Sequence, residues 1–191
     1  MSTAALPRAA STRCVRALVR FGWCLPVLAI VAVWAFTTPF PFVFDDEFDI
    51  LRNDAVHALW PPRWAFGVRR PLAWLTFALN WAWSGPRPWS FRLVNIVIHA
   101  LNATLLWSCT RVALTAIAAE PGDASTDRLR GADTVSTTRI AAREAARTRR
   151  FGRVEAAAIA TAVATLWAIH PLHTSAVTYI VHRYETLCAL F

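Results

Sequence analysis

The sequence predicts an all-α membrane protein, a polytopic helical bundle with three spans and the start of a fourth. Three observations predict it. Of 191 residues, 56% are hydrophobic and 17% charged, whereas a soluble domain of this length carries roughly a quarter charged residues. The apolar residues gather into runs that match, or nearly match, a hydrocarbon core of about 30 Å. All twenty basic residues are Arg, and they flank these runs, as membrane orientation requires.

That placement also excludes a class of partner. A net charge of +8 would suit nucleic acid only if the Arg side chains formed a stripe on a soluble fold. Here they orient the chain in a lipid bilayer. Cys14, Cys24, Cys109 and Cys188 show no CxxC spacing and read as small buried hydrophobes rather than as a disulfide framework. The lack of Lys and the abundance of Ala point to a GC-rich coding bias and a bacterial inner membrane.

Residues 1–20 form a cytoplasmic N-terminal segment with Arg8, Arg13, Arg16 and Arg20. Residues 21–119 hold the first two spans with an extracytoplasmic loop and an interfacial helix. The first apolar run starts at Phe21, and Pro39 and Pro41 end its helix near Thr37. A cleavable signal peptide ending near Val33-Trp34-Ala35 is the rival, but an uncleaved helix fits the spans that follow. The loop from Asp45 to Arg70 sets five acids against four Arg. Pro71 to Trp83 is rich in Trp and too short to span, so it reads as an interfacial helix. Leu93 to Thr110 carries no formal charge and spans.

Residues 120–153 form a basic cytoplasmic loop, partly disordered, with eight Arg against five acids. Thr138 to Arg150 within it suits a basic surface helix. Residues 154–191 supply the third span (Val154 to Ile169), an extracytoplasmic His170-Pro171-Leu172-His173 turn, and the start of a fourth span from Thr186. The chain reads as an N-terminal fragment or a truncated gene product.

This topology puts two distant constellations on one membrane face. Asp45, Asp46 and Glu47 are adjacent carboxylates at a membrane exit, which need solvent, a partner or a cation. A divalent cation is the one cofactor they leave open. Their mutual repulsion separates their pKa values, which suits a general base beside an ionised neighbour; a plain solvated loop is the bland alternative. His170 and His173 stand i, i+3 across a proline, and this turn hydrogen-bonds a phosphate or sugar hydroxyl more readily than it binds metal. Arg69, Arg70 and Arg183 can hold phosphate bidentately or simply anchor at the interface, with Glu185 as a partner for Arg183. Asn95, His99 and Asn102 recur at i, i+4, i+7 on one helical face and read as an interhelical hydrogen-bond seam; Asn80 is a further polar residue on an apolar helix.

Several motifs follow in order: Phe44-Asp45-Asp46-Glu47, Arg70-Pro71-Leu72 with Leu79-Asn80, Phe91-Arg92-Leu93-Val94-Asn95 through His99 to Asn102, His170-Pro171-Leu172-His173-Thr174, and Ala176 to Val181. This order resembles the N-terminal region of transmembrane and tetratricopeptide-repeat-containing O-mannosyltransferases and their bacterial relatives, over about residues 40 to 110 and 154 to 191. The resemblance implies a GT-C-like N-terminal part. It implies a polyprenyl-phosphate-linked sugar donor, with mannose as the sugar, and a protein or glycan acceptor outside the cytoplasm. It makes Asp45 or Asp46 the catalytic base, with Glu47, Arg70, His170, His173, Arg183 and Glu185 around the donor phosphate. Ser175 stands where relatives often have Glu, and the basic insertion between the second and third spans is atypical.

Two other functions compete. One is a non-enzymatic membrane anchor or assembly scaffold. The other is a metal-dependent membrane hydrolase built on His170, His173 and Asp46. On the transferase reading, the 191-residue unit does not catalyse alone.

Overall fold

The computed structural model describes residues 17, 19–65, 70–118 and 135–191. These residues form helices and the turns and loops that join them, with no strand among them. Six α-helices are described: α1 (Cys24–Trp34), α2 (Pro71–Ser84), α3 (Pro88–Ile117), α4 (Val135–Ala168), α5 (His173–Thr178) and α6 (Arg183–Cys188). Short 3-10 turns and one π-helical turn, Glu47–Leu51, lie between them.

Local sequence explains the helix ends. A 3-10 turn over Ala35–Thr37 closes α1 just before Pro39 and Pro41 break the chain. Pro71 occupies the first turn of α2, where its missing N–H costs nothing. Gly85 ends α2 with φ 63° and ψ −153°, a backbone region essentially reserved for glycine. The expected interfacial helix is therefore α2, one residue longer than its sequence limits.

Of the described helices, α3 alone is long and apolar enough to cross a membrane, and the apolar stretch Cys24–Thr37 is shorter. The finding is narrower than three spans. The expected second span, Leu93 to Thr110, lies within α3, and the third apolar run is the C-terminal half of α4. The segment Thr138 to Arg150 is helical as part of α4. Residues 120–134, Cys14 and Arg69 lie outside the described residues. The expected start of a fourth span, from Thr186, holds only the end of α6 and a turn at Ala189-Leu190.

The chain divides into two compact units. One draws on residues up to Leu25 and on Leu106–Ala164. Its core joins Trp107 to Ala160 and Ala164, small residues that let helices approach closely. The Trp107 indole N–H donates to Thr161 Oγ1 at 3.0 Å, and Arg111 donates to the Val19 carbonyl at 2.8 Å.

The other unit, Pro26–Leu105 with Thr165–Phe191, has two apolar clusters. Ile50, Val56, Ala73, Phe77, Phe91, Ile180 and Val181 form one. Ile30, Trp34, Ile96, Ala103, Ala168 and Val177 form the other. Between them runs a polar stripe on α3: Arg92, Asn95, His99 and Asn102, all buried and all on one helical face. Each donates to, or pairs with, a backbone carbonyl of the 168–186 region. Asn95 Nδ2 lies 3.4 Å from the carbonyls of Val177, Tyr179 and Ile180. His99 Nε2 pairs with the Ala168 carbonyl at 2.9 Å, and Asn102 donates to the Thr186 carbonyl at 2.8 Å. The seam thus satisfies carbonyls freed where short helices end, a need that is absolute in a buried setting.

Candidate functional site

The loop after α1 carries the acidic residues on a strained turn. Phe44 has φ 49°, a left-handed conformation uncommon for a side chain of its bulk. The turn sends its two neighbouring Asp residues to opposite environments. Asp45 is exposed. Asp46 is fully buried: Oδ1 accepts the Val181 N–H at 2.9 Å, and Oδ2 accepts the Val43 N–H at 3.4 Å. Burial pushes the Asp46 carboxyl above its ordinary 3.8; the N–H groups of Val181 and Val43 and the Arg92 charge pull it back. Asp49, one turn on, is raised by burial and then by the charge of Asp45.

Within one unit the acidic loop meets the segment that follows the His170–His173 turn, at Tyr179 and Val181 rather than at either His. Asp46 joins the acidic loop to Val181, and the Asp45 N–H donates to the Tyr179 hydroxyl at 3.0 Å. A second link was not read from sequence. Arg92, 1% exposed, donates through Nε to the Thr178 carbonyl at 3.0 Å, through Nη2 to the Pro41 carbonyl at 2.5 Å, and through Nη1 to the Phe40 carbonyl. Its signal was available, since Arg92 lies one turn before Asn95 on the face of the polar seam.

Arg183 sits deeper than its sequence role requires. It is fully buried. Its guanidinium donates to Asn95 Oδ1 (2.7 Å), Thr76 Oγ1 (3.2 Å), Asn80 Oδ1 (3.1 Å) and the Phe91 carbonyl (2.8 Å). It also lies 4.7 Å from the centre of the Phe77 ring. These contacts tie α2, α3 and α6 together. Arg70 is different. It is exposed, and its guanidinium stacks 3.6 Å over the Tyr184 ring.

The remaining candidates divide. Glu47 pairs with Arg52 at 2.6 Å on an exposed surface, a contact worth roughly 0–1 kcal/mol. Glu185 is exposed, 3.8 Å from His182. His170 is exposed; its Nδ1 accepts the Leu172 N–H at 3.3 Å, so the neutral ring carries its proton on Nε2. His173 groups with other rings: Trp167 at 4.4 Å, His99 at 5.0 Å and His170 at 6.4 Å between centres. No three His, Cys, Asp or Glu side chains among the described residues converge as metal ligands. The geometry therefore gives no support to a metal-dependent hydrolase on His170, His173 and Asp46.

No protein-family model matches the chain, and no solved structure matches it. Known proteins do. The chain is 29% identical over 168 residues to human protein O-mannosyl-transferase TMTC1, covering 78% of this chain and 14% of that protein. It is 27% identical over 187 residues to human protein O-mannosyl-transferase TMTC4, covering 88% of this chain and 22% of that protein. With mouse protein O-mannosyl-transferase TMTC3 the identity is 27% over 181 residues, 86% of this chain and 15% of the relative. The chain thus spans between about a seventh and a fifth of the length of these curated relatives. Over most of its own length it stands in a TMTC-like relationship to protein O-mannosyl-transferases.

Proposed function

We infer that this chain is the N-terminal module of a membrane glycosyltransferase that moves a mannosyl group from a polyprenyl-phosphate donor to a hydroxyl of an extracytoplasmic acceptor. The first apolar helix, α3 and the C-terminal half of α4 cross the bilayer, with the N-terminus in the cytoplasm and the Asp45 loop outside. The protein O-mannosyl-transferase relatives make a protein the acceptor of choice. Asp45 is the general base. It takes the acceptor proton, the acceptor oxygen bonds to the sugar carbon, and the bond from that carbon to the phosphate oxygen breaks with inversion. Polyprenyl phosphate leaves.

The observation that carries this assignment is the contrast between two adjacent carboxylates. Both oxygens of Asp46 accept backbone N–H groups and the residue is 0% exposed, whereas Asp45 is exposed. A base must come within hydrogen-bond reach of the proton it removes. Among the basic candidates, Arg70 and His170 are exposed and available to the leaving phosphate. Arg183 and His173 support the site from within, and Glu47 and Glu185 frame its edge.

The test is mannosyl transfer by the full-length protein in membranes, from a polyprenyl-phosphate donor to a protein acceptor. Asp45→Asn should reduce turnover by about 10²- to 10⁴-fold, the usual contribution of a positioned base, with thermal stability unchanged. Wild-type turnover in that variant refutes the assignment.

A further inference from the structure

A base two bonds from a flexible backbone is only as well placed as the turn that carries it. Asp45 follows Phe44, whose φ of 49° is a conformation that persists only where surroundings over-determine it. Three side-chain contacts pin that turn. The Val43 N–H donates to Asp46 Oδ2, Asp46 Oδ1 accepts from Val181, and the Asp45 N–H donates to the Tyr179 hydroxyl at 3.0 Å. The first two act through Asp46, after the strained residue or across it. The third alone grips the backbone of Asp45.

We propose that Tyr179 is a positioning residue for Asp45: its hydroxyl clamps the Asp45 amide, keeps the strained Phe44 turn wound, and so aims the Asp45 carboxylate at the acceptor hydroxyl. The proposal rests on the transferase reading of Asp45.

Tyr179 is well built for this task. It is the hinge between α5 and the 3-10 turn Ile180–His182, with an extended backbone at φ −87°, ψ 112°. Asn95 holds it there through the carbonyls of Val177, Tyr179 and Ile180. Its ring is flanked edge-on by His182 at 4.6 Å and by Phe44 at 6.4 Å. The hydroxyl accepts the amide hydrogen with an oxygen lone pair, and its own proton is turned to the Asp45 side chain, with which it also hydrogen-bonds. Burial, and then the Asp45 and Asp46 charges, raise the phenol above its ordinary 10.0. The proton therefore stays on the oxygen at neutral pH.

Tyr179→Phe removes the hydroxyl and little else. Three readouts in the full protein test the role. Hydrogen exchange at Phe44 and Asp45 should quicken on Tyr179→Phe. The kcat for mannosyl transfer should fall about tenfold, with both KM values within about twofold, because a slightly misplaced base costs rate and not binding. In a Phe44→Gly background, where a left-handed backbone is unstrained, Tyr179→Phe should cost at most about twofold, a non-additivity that marks coupling. A merely structural residue would lower stability and leave the pair additive. If Asp45→Asn is inactive while Tyr179→Phe keeps wild-type kcat or unchanged exchange, the Tyr179 role falls alone. If Asp45→Asn keeps wild-type turnover, the base assignment falls and takes the positioning role with it.

Discussion

Asp46 and Arg92 hold the same two chain segments by opposite poles. The carboxylate receives N–H groups from Val43 and Val181; the guanidinium donates to the carbonyls of Phe40, Pro41 and Thr178. One charge takes donors and the other takes acceptors, from residues 40–43 on one side and 178–181 on the other. Each segment is an irregular connection whose backbone groups have few partners of their own, so buried charges substitute for a ladder.

Removing either charge should loosen the site before it alters any chemistry. Asp46→Ala leaves the buried Val181 N–H without an acceptor, which costs about 1–3 kcal/mol. Asp46→Asn keeps one acceptor and should lose less. Arg92→Lys presents one ammonium where three carbonyls need a planar fork, so it should destabilise as Asp46→Ala does. Thermal unfolding in detergent checks the order. An Asp46→Ala protein as stable as the wild type would show that the clamp carries nothing.

Arg183 should behave as a buried hub. Arg183→Met strands Asn80 Oδ1 and Asn95 Oδ1 in an apolar surround, and each buried acceptor left without a donor costs about 1–3 kcal/mol. Asn80→Ala alone should cost less, and the pair should be non-additive because the two share one hydrogen bond. Additive losses in a double-mutant cycle would mean that the Arg183–Asn80 contact contributes no coupling.

Sequence showed the elements better than it showed depth. Pro71 and Gly85 bracket α2, and a period of 3.6 residues exposed the seam of Asn95, His99 and Asn102. The contrast between Asp45 and Asp46 was not legible. It arises from the positive φ at Phe44 and from Val181, 135 residues away, and neither leaves a local pattern. The depth of Arg92 leaves no local pattern either, because a basic residue near a helix start has the same pattern as an interfacial anchor. Arg183 was expected near phosphate for a related reason: its burial depends on Thr76, Asn80 and Asn95 converging from two other helices.

The two basic candidates should separate kinetically. Arg70 is exposed and its stacking on Tyr184 is a surface cation–π contact, worth about 0.5–1 kcal/mol. Arg70→Ala should therefore barely change stability while raising the donor KM, if its guanidinium meets the leaving phosphate in the bound state. Steady-state kinetics with varied donor measure this. A donor KM equal to that of the wild type would reduce Arg70 to an anchor for Tyr184.

His173 should give the protein a stability that fades in mild acid. Burial against Trp167 and His99, and then the charge of His170, hold its imidazole below the ordinary 6.5. As pH falls through 6.5 the unfolded chain takes up a proton that the folded chain refuses, so the unfolded state gains. The contribution is complete above 6.5 and is lost as pH falls through the depressed folded value. His173→Gln removes the titration while keeping a polar side chain. Comparing wild type and variant cancels the other titrating groups, including Asp46 and Asp49, whose raised pKa values act with the opposite sign. Melting temperatures measured from about pH 8 to about pH 5 should fall more steeply for the wild type than for His173→Gln. Parallel curves would mean that His173 titrates alike in both states, and that its contacts with Trp167 and His99 do not hold it neutral.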